Sequence, residues 1–197
     1  MSKPFSQACA NNRQPILDLL KSAFAESRRV LEIGSGTGQH AVYFAEHMPW
    51  LYWQTSDLAV HHDGINAWID EYPDQNLARP VALDVLQTPW PAEAQGVDSV
   101  FTANTCHIMP WPAVEAMFQH LPDSCERLAI YGPMKYRGEF TSESNDNFDQ
   151  WLKYQVPHQG IRDFEAIDTL ATARGFQLLH DHNMPANNQL LFWTRSP

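Results

Sequence analysis

The feature that most constrains the fold is an alternation of short apolar segments with longer amphipathic segments along the chain. The strand-like segments are residues 29–33, 51–55, 80–85, 97–103 and 127–131. Helical apolar spacing recurs at residues 40–45, 65–71, 114–121, 148–155 and 164–173, and Pro15 is expected in the first turn of an earlier helix that includes Phe24. Strands that alternate with helices form crossovers, and a crossover makes successive strands parallel.

Two further strand-like segments, 176–179 and 190–194, are separated only by His180 to Gln189. This connection is too short for a crossover helix, so the two strands are expected to pair antiparallel at the sheet edge. The 197 residues therefore predict one doubly wound, Rossmann-like α/β domain (1–197) with a seven-stranded, mostly parallel sheet whose last strand is antiparallel. Within it, residues 1–28 are expected to form an N-terminal helical cap, and the polar segment 133–163 to cover a substrate.

Charge and composition exclude several classes of protein. The net charge of −10, from 13 basic and 23 acidic residues, argues against a nucleic-acid partner, because phosphate neutralisation needs Lys and Arg. The first residues lack the apolar core of a signal peptide, and no apolar run approaches the ~18 residues of a membrane span. Three cysteines without a CxxC pair fit a reducing compartment. We therefore expect a cytoplasmic protein without a membrane segment; the sequence does not indicate its oligomeric state.

Three glycines follow the first strand and precede the next helix in the run VLEIGSGTGQH, residues 30–40. Gly34, Gly36 and Gly38 permit a tight turn and a close backbone approach to a ligand. A dinucleotide fingerprint requires its third glycine at position 39, which is Gln39, and no lysine for a P-loop lies between Lys21 and Lys135. Both phosphate-binding patterns are therefore absent. S-adenosylmethionine fits better, because it contains adenosine but no phosphate.

Three acids accompany this loop. Glu32, in the strand before it, is expected near the cationic end of the cofactor. Asp57 follows the second strand and is expected to bind the ribose hydroxyls, while Asp84 ends the third strand and is expected to accept from the adenine amino group. Acids at the ends of successive strands mark the crevice in which open α/β sheets bind ligands. The other expected cofactor contacts are Arg13, Ser35, His40, Leu58, Val85 and Asn104.

On these motifs the chain resembles the class I S-adenosylmethionine-dependent methyltransferases, with the run 98–104 matching their fourth strand. The whole chain is also similar to the methyltransferase-like 26 family. The segments that carry this second resemblance are residues 12–17, 104–111, 131–133, 144–149, 160–163 and 184–188. The resemblance implies the methyltransferase fold, S-adenosylmethionine as cofactor and S-adenosylhomocysteine as product. It implies no particular substrate.

The segment after the fourth strand, Asn104 to Trp111 (NTCHIMPW), is the expected reaction site. His107 is the candidate general base, because an unperturbed imidazole titrates near pH ~6.5. Asn104 is expected to hold a cofactor or acceptor group, and Trp111 to form a wall. Arg162 or Arg13 is expected to bind a carboxylate of the substrate or cofactor.

Structural roles are open for several of these residues. His107 fits equally a loop histidine bonded to the backbone, and Arg162 fits a surface ion pair beside a helix cap. Cys106 fits a small core residue better than a nucleophile. Asn187 and Asn188 suit a turn for conformational reasons.

The histidine clusters at 61–62 and 180–182 lack further ligands nearby in sequence, so no metal site is expected. The leading hypothesis is a methyltransferase that acts on a small molecule. The alternatives are a cofactor-binding regulatory module without transferase activity and a protein methyltransferase. A nucleotide-dependent oxidoreductase is disfavoured by Gln39.

Overall fold

The computed structural model describes residues 3–195; positions 1, 2, 196 and 197 of the expected domain lie outside the described residues. The helices are α1 (Gln7–Ala23), α2 (Gln39–His47), α3 (His62–Ile69), α4 (Trp111–Gln119), α5 (Glu143–Gln155) and α6 (Phe164–Ala173). The strands are β1 (Arg29–Ile33), β2 (Tyr52–Asp57), β3 (Leu77–Ala82), β4 (Ser99–Ala103), β5 (Arg127–Gly132), β6 (Met134–Tyr136), β7 (Glu139–Phe140), β8 (Arg162–Asp163), β9 (Phe176–Met184) and β10 (Asn188–Arg195).

Seven of these strands form the main sheet in the order β3-β2-β1-β4-β5-β10-β9. The pairs from β3 to β5 are parallel, whereas the last strand of the chain, β10, lies antiparallel to both β5 and β9. This confirms the predicted doubly wound sheet. The strand order reverses between β1 and β4, so the carboxyl ends of these two strands border a crevice.

Both faces of the sheet are buried, and successive side chains of a strand belong to different cores because they point to opposite faces. Val30 and Phe101 belong to the core that α1, α2 and α3 cover, together with Phe44 of α2. Their neighbours Leu31 and Val100 belong to the core covered by α4 and α6. The apolar runs of β1 and β4 therefore reflect burial on two sides.

The structure corrects several predicted boundaries. Helix α1 begins two turns before Pro15, with Ser6 as its N-cap, so Pro15 lies in the helix interior. Strand β3 ends at Ala82, and Asp84 therefore follows the strand instead of ending it. Pro80 is tolerated within β3 because this strand lies at the edge of the sheet. Strand β9 continues to Met184, which leaves only Pro185–Asn187 between the last two strands.

A second, three-stranded sheet follows β5 in the order β7-β6-β8 and was not predicted. Its strands have only two or three residues, too few for an alternating pattern. Together with α5 it makes up most of segment 133–163. Among the described residues, no helix combines the length and apolarity that crossing a membrane requires.

Candidate functional site

A cavity of about 940 Å³ lies at the carboxyl ends of the parallel strands. Its volume is near the upper end of the roughly 300–1,000 Å³ typical of small-molecule sites. Ten of the residues proposed from the sequence line it: Gly34, Ser35, Gly36, His40, Asp57, Leu58, Asp84, Val85, Asn104 and His107. The fold thus brings together side chains that are far apart in the sequence.

The glycine loop is held where only glycine fits. Gly34 has φ of +75°, and a Cβ there would lie 2.9 Å from the Oγ1 atom of Thr105. Gly38 has φ of +86°, and its Cβ would approach the Cα atom of Ile65 to 3.0 Å. A side chain at either position would combine left-handed strain with a clash. The loop therefore keeps its backbone against the cavity by close packing.

Asp57 is fixed by two backbone amides and still has acceptor capacity. Its Oδ2 atom accepts from the amide of Gly36 at 2.7 Å, and its Oδ1 atom accepts from the amide of Leu58 at 2.7 Å. A carboxylate offers about four lone-pair sites. About two sites remain for a ligand that carries hydroxyl groups, which is the role expected for Asp57.

Asp84 lies in a short turn after β3, where its Oδ1 atom accepts from the amide of Leu86 at 3.0 Å. Leu83 and Val85 on either side line the same part of the cavity, as does Leu58 from the end of β2. An acidic side chain between apolar walls can hold a flat heterocycle with an amino group. The role predicted for Asp84 depends on its place in the cavity, and Asp84 lies there although β3 ends at Ala82.

Glu32 does not line the cavity. Its carboxyl group is buried beneath the glycine loop, where it accepts from the Ser35 hydroxyl at 2.9 Å and the Trp53 indole nitrogen at 3.2 Å. Burial raises the pKa of Glu32 to about 7. Ser35 lies between this carboxyl group and the cavity. Glu32 therefore supports the glycine loop from beneath and does not face a ligand in the cavity.

His107 is a buried polar side chain within the expected reaction site. The residue is 6% exposed, and its ring meets Phe148 edge-on at 5.6 Å between centroids. Within residues 3–195 neither ring nitrogen takes part in a hydrogen bond. Burial, and then the positive charge of Arg162, lower the pKa of His107 to about 4. The imidazole is therefore neutral at pH 7, with a pKa below the ordinary value near 6.5.

Asn104 follows β4 with φ of 58°, a left-handed conformation that asparagine tolerates better than most residues. Its backbone N–H donates to the Tyr131 carbonyl at 2.8 Å, which fixes the start of the loop. Cys106, two residues on, is buried in the core, and burial raises the pKa of its thiol to about 12. The structure therefore agrees with a core role for Cys106.

Arg162 and Arg13 do not line the cavity. Arg162 donates from Nε to the Cys106 carbonyl at 3.0 Å, and from its terminal nitrogen to the carbonyls of Met109 and His158. The Arg13 guanidinium lies 4.3 Å from the centre of the Tyr43 ring. Arg162 is therefore engaged in holding the β4–α4 loop, and neither the predicted ion pair nor a free substrate-binding guanidinium is found there.

Several lining residues were not predicted as site residues from the sequence. Helix α1 contributes Asn12, whose Oδ1 atom is 2.7 Å from Nε2 of His40. Burial and the nearby Arg13 lower the pKa of His40 to about 4, so its ring is neutral and donates this bond. The others are Ser6, Cys9, Ser144, Asn145, Phe148, Ala186 and Asn188. Asn12 and Asn145 lie in segments that carry the family resemblance, and Asn145 also lies in the polar segment 133–163 that is expected to cover a substrate.

Across residues 3–195, no group of three or more His, Cys, Asp or Glu side chains is arranged to hold a metal ion. The rings of His180 and His182 stack at 5.1 Å on β9. They have no further candidate ligand beside them in that range.

Comparison with solved structures finds this fold repeatedly. An O-methyltransferase family protein from Burkholderia thailandensis matches with a TM-score of 0.79 and 18% identity, over 93% of this chain and 56% of that one. Human N-acetylserotonin methyltransferase, solved in complex with S-adenosylmethionine, matches with a TM-score of 0.77 and 12% identity, over 97% and 53%. An O-methyltransferase family 2 protein from Planctomyces limnophilus, in complex with apigenin, gives 0.78 and 15%, over 96% and 60%.

The chain spans between about half and three fifths of the length of these proteins. At such low identity the likeness establishes the α/β methyltransferase fold. A family model described as "Protein of unknown function (DUF938)" matches residues 3–195, and the chain therefore belongs to the DUF938 family.

Proposed function

We propose that this protein is an S-adenosylmethionine-dependent methyltransferase that acts on a small molecule. One observation carries the proposal: a single cavity is lined by the glycine loop, by Asp57 and Asp84, and by the neutral, unbonded ring of His107. The loop and the acids form one end of the cavity, and His107 lies beyond the end of β4. This arrangement suits a cofactor and an acceptor bound side by side.

The donor set of the cavity fits this cofactor. No lysine or arginine is among the lining residues of the described chain, so a diphosphate would find no counter-charge. At Gly36, where a Cβ would meet nothing within 4 Å, the backbone faces open space that a ligand can fill. Asp57 would hold the ribose, and Asp84 the adenine amino group. Two carboxylates favour a cationic ligand over an anionic one.

The cofactor, when bound, supplies a methyl group already activated on a sulfonium. The protein then has to align the acceptor and remove its proton. His107 is neutral and accepts that proton on a ring nitrogen, while Asn104 orients a cofactor or acceptor group. Helix α1 and segment 133–163 contribute walls that exclude water, the roles proposed for the N-terminal cap and the covering segment.

Two lines of comparison support a small acceptor. The similar structures include a methyltransferase named for N-acetylserotonin and a protein solved with apigenin. The sequence resemblance to the methyltransferase-like 26 family supports the same cofactor. We extend these properties to this chain as part of the proposal.

Calorimetry with S-adenosylhomocysteine tests the cofactor. We expect binding by the intact protein and a loss of about tenfold or more for Asp57→Asn, because a charged hydrogen-bond acceptor contributes about 1.5–3 kcal/mol. Asp18→Asn is the matched control, since Asp18 is exposed on α1 and bonded only to Gln14. Folded protein that gives no heat with millimolar ligand would overturn the proposal.

Methyl-labelled S-adenosylmethionine, incubated with a cell extract and the protein, tests the acceptor. We expect the label in the small-molecule fraction, and much less with His107→Gln. Label on protein would instead identify a protein methyltransferase. Cofactor binding with no label anywhere would identify a regulatory module.

A further inference from the structure

We propose that the acceptor is an uncharged molecule with at least two hydroxyl or amide N–H donors, and that Asn145 is the residue that selects it. This inference rests on the proposed function and specifies the class of acceptor for the same cavity. The term acceptor wall is used here for the lining residues Asn12, His107, Asn145, Phe148 and Asn188.

The acceptor wall contains no charged side chain. Among all the lining residues, only Asp57 and Asp84 carry formal charge, and both lie at the end of the cavity assigned to the cofactor. Two arginines were candidates for binding a carboxylate. Arg13 lies against the Tyr43 ring, and Arg162 donates to backbone carbonyls. An acceptor carboxylate, phosphate or ammonium would be buried there without a charged side chain on the wall to bond with, which is costly.

The orientation of the Asn145 amide is fixed by its partners. One amide hydrogen is donated to the Asn187 carbonyl at 2.9 Å, and the other to the Thr141 hydroxyl at 2.8 Å. A carbonyl only accepts, so the atom facing Asn187 must be Nδ2. This leaves Oδ1 as the polar atom of the side chain with no partner within residues 3–195. Asn145 is 4% exposed and lines the cavity, so Oδ1 is an acceptor on the cavity wall that is available to a ligand.

His107 supplies a second unsatisfied acceptor on the same wall. Phe148 is three residues after Asn145 in α5, and residues at this spacing share a helix face. Its ring contacts His107 edge-on, which places the imidazole beside the Asn145 face of α5. A neutral imidazole has one nitrogen that accepts a hydrogen bond. Two acceptors of the acceptor wall therefore have no donor within residues 3–195, and a ligand in the cavity can supply both donors.

The two acceptors have different tasks. A hydroxyl placed at His107 would lose its proton to a ring nitrogen as its oxygen attacked the sulfonium methyl group. The O–H and S–CH3 bonds would break, the N–H and C–O bonds would form, and S-adenosylhomocysteine would leave with the electron pair of the broken S–C bond. The second donor is held at Asn145 Oδ1 and undergoes no reaction. A carboxylate at this position would place its lone pairs against the Oδ1 lone pairs, so the site repels anions.

Binding to protein saturated with S-adenosylhomocysteine tests this selection. The probes are para-hydroxybenzyl alcohol, para-hydroxybenzoate and para-hydroxybenzylammonium, which share the phenol and differ in one substituent that is neutral, anionic or cationic. We expect the alcohol to bind at least about tenfold tighter than either ion, as measured by ligand-observed NMR. Equal or tighter binding of an ion would overturn the inference, and so would failure of the alcohol to bind at millimolar concentration.

Asn145→Ala and Asn145→Asp identify the residue responsible. We expect Asn145→Ala to weaken alcohol binding about five- to tenfold, because one neutral hydrogen bond is lost. Asn145→Asp is expected to shift preference towards the ammonium probe. Asn147→Asp is the matched control, since Asn147 is exposed on the same helix and does not line the cavity.

Affinity for S-adenosylhomocysteine is measured for every variant. Retained affinity shows that the variant is folded and that the cofactor site is intact. An unchanged probe preference in Asn145→Ala with retained affinity would then overturn the role of Asn145 alone. Loss of cofactor binding by the unmodified protein would instead overturn the proposed function.

Discussion

Burial acts on Glu32 and His107 in opposite directions for the same reason. Each side chain is removed from water, which disfavours its charged form, so the pKa of the acid rises to about 7 and that of the base falls to about 4. Between these values both residues are neutral. The His107 side of the cavity and the layer beneath the glycine loop thus carry less charge near pH 6 than their residue types suggest, which favours the uncharged acceptor proposed above.

Glu32→Gln is expected to remove a pH-dependent loss of stability. The folded pKa of Glu32 lies above its value in the unfolded chain, so the native state binds more protons and stability falls as pH rises through about 7. The shift corresponds to about 3 kcal/mol at alkaline pH. Urea unfolding at pH 5 and pH 8 should show a smaller decrease for Glu32→Gln. Equal decreases in both proteins would contradict this prediction.

The His107 ring is expected to remain neutral well below pH 6. Its folded pKa is depressed, so the stability it contributes is present above the unfolded pKa of about 6.5 and is lost as pH falls towards 4. Nitrogen chemical shifts of the ring, assigned with His107→Gln, should not change between pH 8 and pH 5.5. A titration midpoint near 6.5 would show that the ring is hydrated.

At the scale of elements, one side chain joins three segments around the reaction site. Arg162 begins in β8 and donates to carbonyls of the β4–α4 loop at Cys106 and Met109, and to His158 beyond α5. Its planar guanidinium also lies 5.8 Å from the centre of the Trp111 ring, at the start of α4. The position of His107 within that loop therefore depends on a residue in a different sheet.

Arg162→Lys is expected to destabilise the protein although it keeps the charge. An ammonium cannot reproduce the planar fork that serves three carbonyls, and each hydrogen bond from a charged donor contributes about 1.5–3 kcal/mol. We expect a loss of about 2–3 kcal/mol in urea unfolding. Arg79→Lys is the control, because Arg79 forms an exposed ion pair with Asp70 worth at most about 1 kcal/mol. Similar losses of unfolding free energy in both variants would contradict this role of Arg162.

Predictability at this scale followed the strength of the local pattern. The predicted limits of β1 and α6 are confirmed, because β1 is a short run that Gly34 ends and α6 has a helical apolar period that Gly175 follows. The sequence predicts the third strand from Pro80, three residues after its observed start at Leu77, because proline usually begins a strand, whereas an edge strand accommodates proline inside it. The strands β6 and β8 are too short to have a period, and only tertiary contacts define them.

At the scale of the whole molecule, the site was predictable where topology alone determines it. Asp57 and Asp84 reach one cavity because parallel strands end on the same side of the sheet. The bond between Asn12 and His40 and the bond between Asn145 and Asn187 join distant parts of the chain. Neither follows from a local pattern, and so the acceptor wall could not be assembled from the sequence.

Helix α1 bears on the stability of the whole fold. Ile16, Leu17 and Leu20, with Phe24 just after the helix, are fully buried in the same core as Val30 of β1. Burial of one such side chain contributes about 1.5–3 kcal/mol, so the four together contribute roughly 6–12 kcal/mol. That is comparable with the 5–15 kcal/mol net stability of a typical domain.

A chain that starts at residue 29 is therefore expected not to fold, whereas one that starts at Ser6 should. The shorter truncation loses an ion pair from Lys3 to Glu71 and the bond from the Trp68 indole to the Pro4 carbonyl, about 1 kcal/mol or slightly more. Circular dichroism and urea unfolding separate the two cases. A cooperative unfolding transition in the chain that starts at residue 29 would show that α1 is a detachable cap, and its four buried side chains would then belong to the cap rather than to the core.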